Sequence, residues 1–170
     1  MLQLLIVDGY NIINNWPELS ALKQANFGAS RCKLIQVLQE CSPGLWHKII
    51  IVFDAYKVKG QQETHIRLGP VEIIYTKEGE TADNLIERII RPLVDEYDVA
   101  VASSDALEQS MILGKGARRI SARELKKLIR KWKNEMRKDY LETKKFETKN
   151  PRHGHLDHDI KELFEKWRRS

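Results

Sequence analysis

Leu4-Leu5-Ile6-Val7-Asp8-Gly9-Tyr10-Asn11 decides the fold class of this 170-residue chain. Four apolar residues run without a polar interruption into an aspartate, a glycine and an asparagine. The run is short and β-branched at Ile6 and Val7. That pattern fits a strand covered on both faces, as in a parallel sheet between layers of helices. Asp8 then ends the strand at its carboxyl edge, where open α/β sheets bind ligands. Gly9 allows a sharp turn and a close approach of backbone to a ligand. The Asn11 amide can orient a water, a phosphate oxygen or a neighbouring carboxylate. An ordinary polar turn uses the same residue types, so the stretch gains meaning from its recurrence.

The arrangement returns along the chain. Ile49-Ile50-Ile51-Val52-Phe53 ends at Asp54, and Val99-Ala100-Val101-Ala102 leads through Ser103-Ser104 to Asp105. Residues 71–76 read as a further strand. After it, Glu80 precedes Thr81, a predicted N-cap, and Asp83 falls in the first helical turn. Strands alternating with helices predict a three-layer α/β fold with a mainly parallel central sheet flanked by helices. Right-handed crossovers carry the strand ends to one edge. Asp8, Asp54, Asp83 and Asp105, with Glu80, would then meet there from four distant segments. One aspartate after a strand is usually a turn or cap residue. Four such placements are hard to attribute to capping alone.

Clustered carboxylates repel one another unless a cation lies between them. An all-oxygen set without cysteine or histidine favours Mg²⁺ or Mn²⁺ over Zn²⁺. Such a centre suits phosphoryl transfer, because a divalent ion activates water and stabilises the departing oxygen. Charge distribution points to the substrate. The chain carries a net +5, but residues 1–117 hold 11 Lys+Arg against 15 Asp+Glu, whereas residues 118–152 hold 14 against 5. An acidic body with a basic arm implies a polyanionic partner held beside a carboxylate-rich site. Helical spacing places Lys126, Arg130 and Lys133 along one side of the arm, away from Leu125, Leu128, Ile129 and Trp132. Lys57, Lys59 and Arg67, beside Tyr56 in a predicted loop over residues 55–70, could hold a nucleic-acid backbone and stack a base.

The rest of the chain reads as connection and packing. Residues 14–28 read as a loop because of Trp16-Pro17 and their polar content. Ser30 is a candidate cap for a helix over residues 30–41, ended by Ser42-Pro43-Gly44. Pro92 should kink or divide the helix after Thr81. Leu107, Met111 and Ile112 mark a helix, residues 119–120 a short strand, and Ser121-Ala122-Arg123-Glu124 a capping box opening a long helix. A last helix covers residues 157–168. His153, His155 and His158 read as a polar hinge before a metal site. Cys32 and Cys41 fall in one helix and should not pair, which favours a reducing, cytoplasmic setting. No apolar run is long enough to span a bilayer, and the start lacks the form of a signal peptide.

Val7-Asp8-Gly9-Tyr10-Asn11, Val52-Phe53-Asp54-Ala55, Glu80-Thr81-Ala82-Asp83 and Ser103-Ser104-Asp105 resemble the motifs of the NYN domain, a branch of the PIN-like, metal-dependent ribonucleases. Leu107-Glu108-Gln109, Gly114-Lys115-Gly116-Ala117 and Ser121-Ala122-Arg123-Glu124-Leu125 resemble its YacP-like subfamily, as does Phe164-Glu165-Lys166-Trp167-Arg168-Arg169. The resemblance implies a PIN-like sheet over residues 1–121, a basic helical extension over residues 122–170, and a pocket for Mg²⁺ or Mn²⁺. By motif, Asp8, Asn11, Asp83 and Asp105 would be its catalytic residues, with Asp54 and Glu80 peripheral. It further implies an endoribonuclease similar to a bacterial member that enters the ribosomal A site and cuts mRNA during translation; the protein is expected to be a cytoplasmic monomer. The rival expectations are an RNA or ribosome binder with a relic pocket and a phosphohydrolase of small nucleotides.

Overall fold

The computed structural model describes residues 1–105 and 114–149. Among them, six strands form one sheet: β1 (Leu2–Asp8), β2 (Lys48–Phe53), β3 (Thr64–Leu68), β4 (Val71–Tyr75), β5 (Tyr97–Ala102) and β6 (Arg118–Ile120). The helices are α1 (Gly9–Asn15), α2 (Pro17–Ala25), α3 (Phe27–Leu45), α4 (Ala82–Leu93) and α5 (Ala122–Lys149). The strand order is β3-β4-β2-β1-β5-β6. All neighbours are parallel except β3 and β4. This is the mainly parallel α/β sheet that the sequence predicts.

The unbroken apolar run of β1 follows from its place. The strand lies between β2 and β5, and Leu4, Leu5, Ile6 and Val7 are all fully buried. Leu5 and Val7 pack with Ile12, Ile13, Leu34 and Leu38 of α1 and α3. Leu4 and Ile6 pack with Leu85, Ile86 and Ile90 of α4 on the other face. Truncating one such leucine to alanine costs about 2–5 kcal/mol, so the central strand is fixed by both layers. The chain divides into two compact units, Met1–Trp132 and a second beginning at Lys133. Ala122, Leu125 and Ile129 of α5 belong to the first core. In the second unit, Met136, Tyr140, Leu141 and Phe146 are exposed.

Several local expectations change. Residues 14–28 are mostly helical, not a loop. Trp16 is the extended residue between α1 and α2, and Pro17 opens α2. Proline at the first helical position loses a hydrogen bond the helix would not make anyway. The indole of Trp16 is buried and donates to the carbonyl of Ala122 at 2.8 Å. Asn26, not Ser30, caps α3, its Oδ1 accepting from Ala29 N–H at 3.1 Å. That helix runs through Ser42-Pro43-Gly44 to Leu45. Pro43 forfeits only the bond to Gln39, an exposed residue near the helix end. Pro92 likewise falls in the last turn of α4 and does not divide it. Residues 55–70 contain β3, whose five residues are all exposed. A short, charged, antiparallel edge strand lacks the apolar pattern that would reveal it. Leu128, expected on the buried stripe of α5, is 40% exposed, one position away from the stripe of Leu125 and Ile129. Thr81 caps α4 and the Ser121–Glu124 capping box forms, both as expected. Cys32 and Cys41 are not joined in a disulfide. No helix among the described residues is long and apolar enough to cross a membrane. The expected helices at 107–112 and 157–168 and the His153, His155 and His158 segment lie outside the described residues.

Edge strand β3 is held by charge. His65 places Nδ1 2.8 Å from Glu72 Oε1 and Nε2 2.8 Å from Glu63 Oε1. Glu72 is buried and also bonds Lys48 at 3.0 Å. The Glu72 and Glu63 hydrogen bonds raise the His65 pKa above its ordinary value. The stabilisation is therefore complete below the ordinary histidine value of about 6.5 and fades as pH rises through the higher folded value. In urea unfolding followed against pH, His65→Gln should flatten this dependence, its deficit from wild type shrinking as the solution becomes basic.

Gly44 marks a contact where no side chain fits. A Cβ there would lie 2.1 Å from Nε1 of Trp132, which packs against the core from α5. Gly44→Ala should lower stability by about 1–3 kcal/mol through overpacking, measured as a shift in the urea midpoint without a change in slope.

Candidate functional site

The connectivity of the sheet creates a crevice. From β1 the chain crosses through α1, α2 and α3 to β2 on one side. After β4 it crosses through α4 to β5 on the other side of β1. The direction of winding thus reverses between β1 and β5, and at such a switch point the strand ends bind ligands. Asp8 ends β1. Ser103, Ser104 and Asp105 follow β5, whose Ala102 is in register with Val7.

Hydrogen bonds span this crevice. Asp8 caps α1, its Oδ1 accepting from Asn11 N–H at 3.3 Å. Asn11 Oδ1 in turn accepts from Ser104 N–H at 2.8 Å, joining segments 93 residues apart. Ser104 Oγ accepts from Ala122 N–H at 3.0 Å. Buried Ser103 donates its N–H to the Ile120 carbonyl at 3.0 Å, and its Oγ accepts from Asp105 N–H at 3.2 Å. The loop bearing Asp105 is therefore fixed from α1 on one side and from β6 and α5 on the other. Gly9 keeps the turn after Asp8 tight, since a Cβ there would lie 2.4 Å from Cε1 of Phe53.

A second set of bonds positions Asp83. Asp54 Oδ2 accepts from Ala82 N–H at 3.3 Å, and its Oδ1 from Tyr56 N–H at 3.0 Å. This ties the end of β2 to the first turn of α4, which carries half-buried Asp83. Ala55 N–H donates to Thr76 Oγ1 at 2.8 Å, linking the same corner to the end of β4. Glu80 pairs with Arg88 at 3.1 Å, and Arg88 also pairs with Glu63. Hydrogen bonding to Glu63, more than burial, sets the Arg88 pKa above its ordinary value. Asp54 and Glu80 thus hold the frame, while Asp8 ends β1, Asn11 and Asp105 follow the carboxyl ends of β1 and β5, and Asp83 lies at the start of α4.

The donor atoms of those four residues are all oxygen, the chemistry that suits Mg²⁺ or Mn²⁺. Among the described residues, no three His, Cys, Asp or Glu side chains stand close enough together to hold a metal ion.

The basic residues separate. Lys57 and Lys59 are exposed in the loop after β2, at the carboxyl edge, with Lys57 Nζ 5.5 Å from the Tyr56 ring centre. Arg67 is at the opposite edge, because β3 runs antiparallel and pairs Arg67 with Glu72 near the start of β4. It lines a cavity of about 330 Å³ with His47, Lys48 and Tyr97. The expectation that Arg67 joins Lys57 and Lys59 is corrected by this strand reversal. Lys126 is paired with Glu18 at 2.8 Å. Burial pushes Glu18 up, but its bonds to Lys126 and to backbone bring it below the usual value. Arg130 is exposed. Lys133 begins the second compact unit. Sequence reasoning missed Ser104 and Thr76, since their roles depend on partners far along the chain.

The family profile of the YacP-like NYN domain matches residues 5–169. The chain belongs to the YacP-like NYN family. It is 40% identical over 172 residues to YacP of Bacillus subtilis (strain 168), an uncharacterized protein, covering 99% of this chain and 98% of that relative. The crystal structure of Rae1 (YacP) from Bacillus subtilis matches with a TM-score of 0.67 and 38% identity, over 98% of this chain and 95% of the other. A crystal structure of a mutant of that protein matches with the same score and identity, over 81% and 80%. The NYN domain is a nuclease-type domain.

Asn11 gives a structural test of the crevice. Asn11→Ala should remove the acceptor for Ser104 N–H and cost about 1 kcal/mol. Amide exchange at Ser104 should quicken, while amides in the middle of β1 keep their protection.

Proposed function

We propose that this protein is a metal-dependent endoribonuclease that cleaves mRNA in association with the translating ribosome. The observation that carries the reading is the hydrogen-bonded path from Asp8 through Asn11 to the Ser104–Asp105 loop across the switch point. Family membership supports the nuclease chemistry. Asp8, Asp83 and Asp105 would hold Mg²⁺ or Mn²⁺. When bound, the ion supplies an activated water and charge neutralisation at the phosphate. Asn11 keeps the loop of Asp105 in place and offers its side-chain amide to the scissile phosphate. Asp54 and Glu80 act at one remove, by fixing the start of α4. In-line attack by water leaves a 5′-phosphate and a 3′-hydroxyl, with no part for the ribose 2′-hydroxyl.

RNA cleavage with Mg²⁺ or Mn²⁺, with and without ribosomes, tests the reading. Asp8→Asn and Asp83→Asn should each abolish cleavage while leaving the metal-free protein as stable as wild type or more so, since each removes a charge from a repelling group. Mn²⁺ should raise the melting temperature of wild type, by preferential binding to the folded state, and less so that of Asp8→Asn. Full cleavage by both variants removes the mechanism.

The arm contributes phosphate affinity in this reading. Lys126 already serves Glu18, so Arg130 is the cleaner probe. Arg130→Gln should weaken binding to single-stranded RNA and reduce the logarithmic salt slope by about 0.7. Affinity measured across a salt series checks this, and an unchanged slope makes Arg130 a solvated residue only.

A further inference from the structure

Beside the acidic edge lies a row of rings. Phe27 and Tyr10 meet edge to face with centres 6.2 Å apart, Tyr10 and Phe53 at 5.2 Å, and Phe53 and Tyr75 stack at 5.6 Å. Phe53 and Tyr75 close β2 and β4 and are in register, and Tyr10 lies two residues after Asp8. Burial falls along the row. Phe53 is fully buried, Tyr10 and Tyr75 are half-buried, and Phe27 is 52% exposed. A phenylalanine so exposed at the start of a helix adds little to the core.

Arg31 reaches this row from α3. Its Nη1 donates to the Tyr10 hydroxyl at 3.1 Å, and the Tyr75 phenol is a further neighbour. Burial lowers its pKa, but the two phenols outweigh it and the net shift is upward. Among the described residues no carboxylate forms an ion pair with Arg31, whereas Arg88 pairs with Glu63 and Glu80 and Arg118 with Asp98. A guanidinium carries five N–H donors in a rigid fork. The Tyr10 phenol holds the fork in place and leaves donors over. The remaining donors of such a cation are available to an anion such as a phosphate. Lys23 Nζ lies 5.1 Å from the Phe27 ring centre and adds positive charge at the open end.

We propose that Arg31 and Phe27 form a nucleotide subsite for single-stranded RNA next to the acidic edge. Arg31 takes a backbone phosphate bidentately, and Phe27 stacks the base of an adjoining nucleotide. The proposal rests on the ribonuclease reading above for its choice of ligand. It carries the substrate along the α1 and α3 side of the pocket. Tyr10 and Tyr75 are positioning residues, acting through Arg31. Neither contact reads base identity, so the subsite grips RNA without sequence preference.

The test uses the full chain in metal-free buffer, where no cleavage intervenes, with a fluorescein-labelled single-stranded RNA and anisotropy measured across a salt series. Arg31→Gln should weaken binding about tenfold and lower the salt slope by about 0.7. Phe27→Ala should weaken binding about tenfold with the slope unchanged, and Phe27→Tyr should restore it. Phe27 is exposed, so its variants keep the test valid if Arg31→Gln melts early. Affinity equal to wild type in Phe27→Ala and in folded Arg31→Gln overturns the subsite, as does a wild type that binds no single-stranded RNA. A wild type that cleaves RNA with metal alongside unaffected variants leaves the ribonuclease reading standing without this subsite. Binding lost in both variants of a protein that never cleaves upholds the subsite and removes that reading.

Discussion

Burial of β1 on both faces is the constraint on which the rest depends. The strand has no solvent side, so every residue from Leu4 to Val7 must be apolar and a polar group can appear only at its ends. A slip of one residue would exchange the sets packed on α3 and on α4 and bring Asp8 toward the interior. Parallel pairing on both flanks then fixes where β2 and β5 end relative to Asp8. The acidic edge is thus a consequence of core packing. It is the first place at which the central strand can carry charge.

Polar groups at that edge divide by what they hold. Asp54 spends its two oxygens on backbone N–H groups of Tyr56 and Ala82, which joins a strand end to a helix start. Glu80 is engaged by Arg88. These bonds make a rigid rim, and they locate Asp83 without drawing on its carboxylate. Across the crevice, Asn11 does for the Asp105 loop what Asp54 does for α4. A loop with a fixed path suits a site in which a small displacement of a metal-binding group is costly in rate.

Positive charge follows a different rule. Some cations on the body are matched by carboxylates: Lys48 with Glu72, Arg88 with Glu63 and Glu80, Arg118 with Asp98, Lys126 with Glu18. Exposed pairs of this kind contribute little to stability individually. Arg31 stands apart because a phenol oxygen, not a carboxylate, fixes it.

The sequence by itself determined the sheet, its parallel sense and the acids that end its strands. An unbroken apolar run of strand length has few other physical explanations, and Asp8, Asp54 and Asp105 each follow one. Caps with local chemistry, at Thr81 and Ser121, were legible for the same reason: the bonds they make lie within three residues. Helices at residues 17–25 and the strand at 64–68 were not, because Pro17 reads as a break and an exposed edge strand carries no apolar alternation. Tertiary structure alone decided which acids serve the frame, that Arg67 faces the far edge, and that Asn11 meets Ser104 while Arg31 meets Tyr10 and Tyr75. Each of these rests on a partner distant in the chain, and a distance through space is set by packing, which no local pattern of residues encodes.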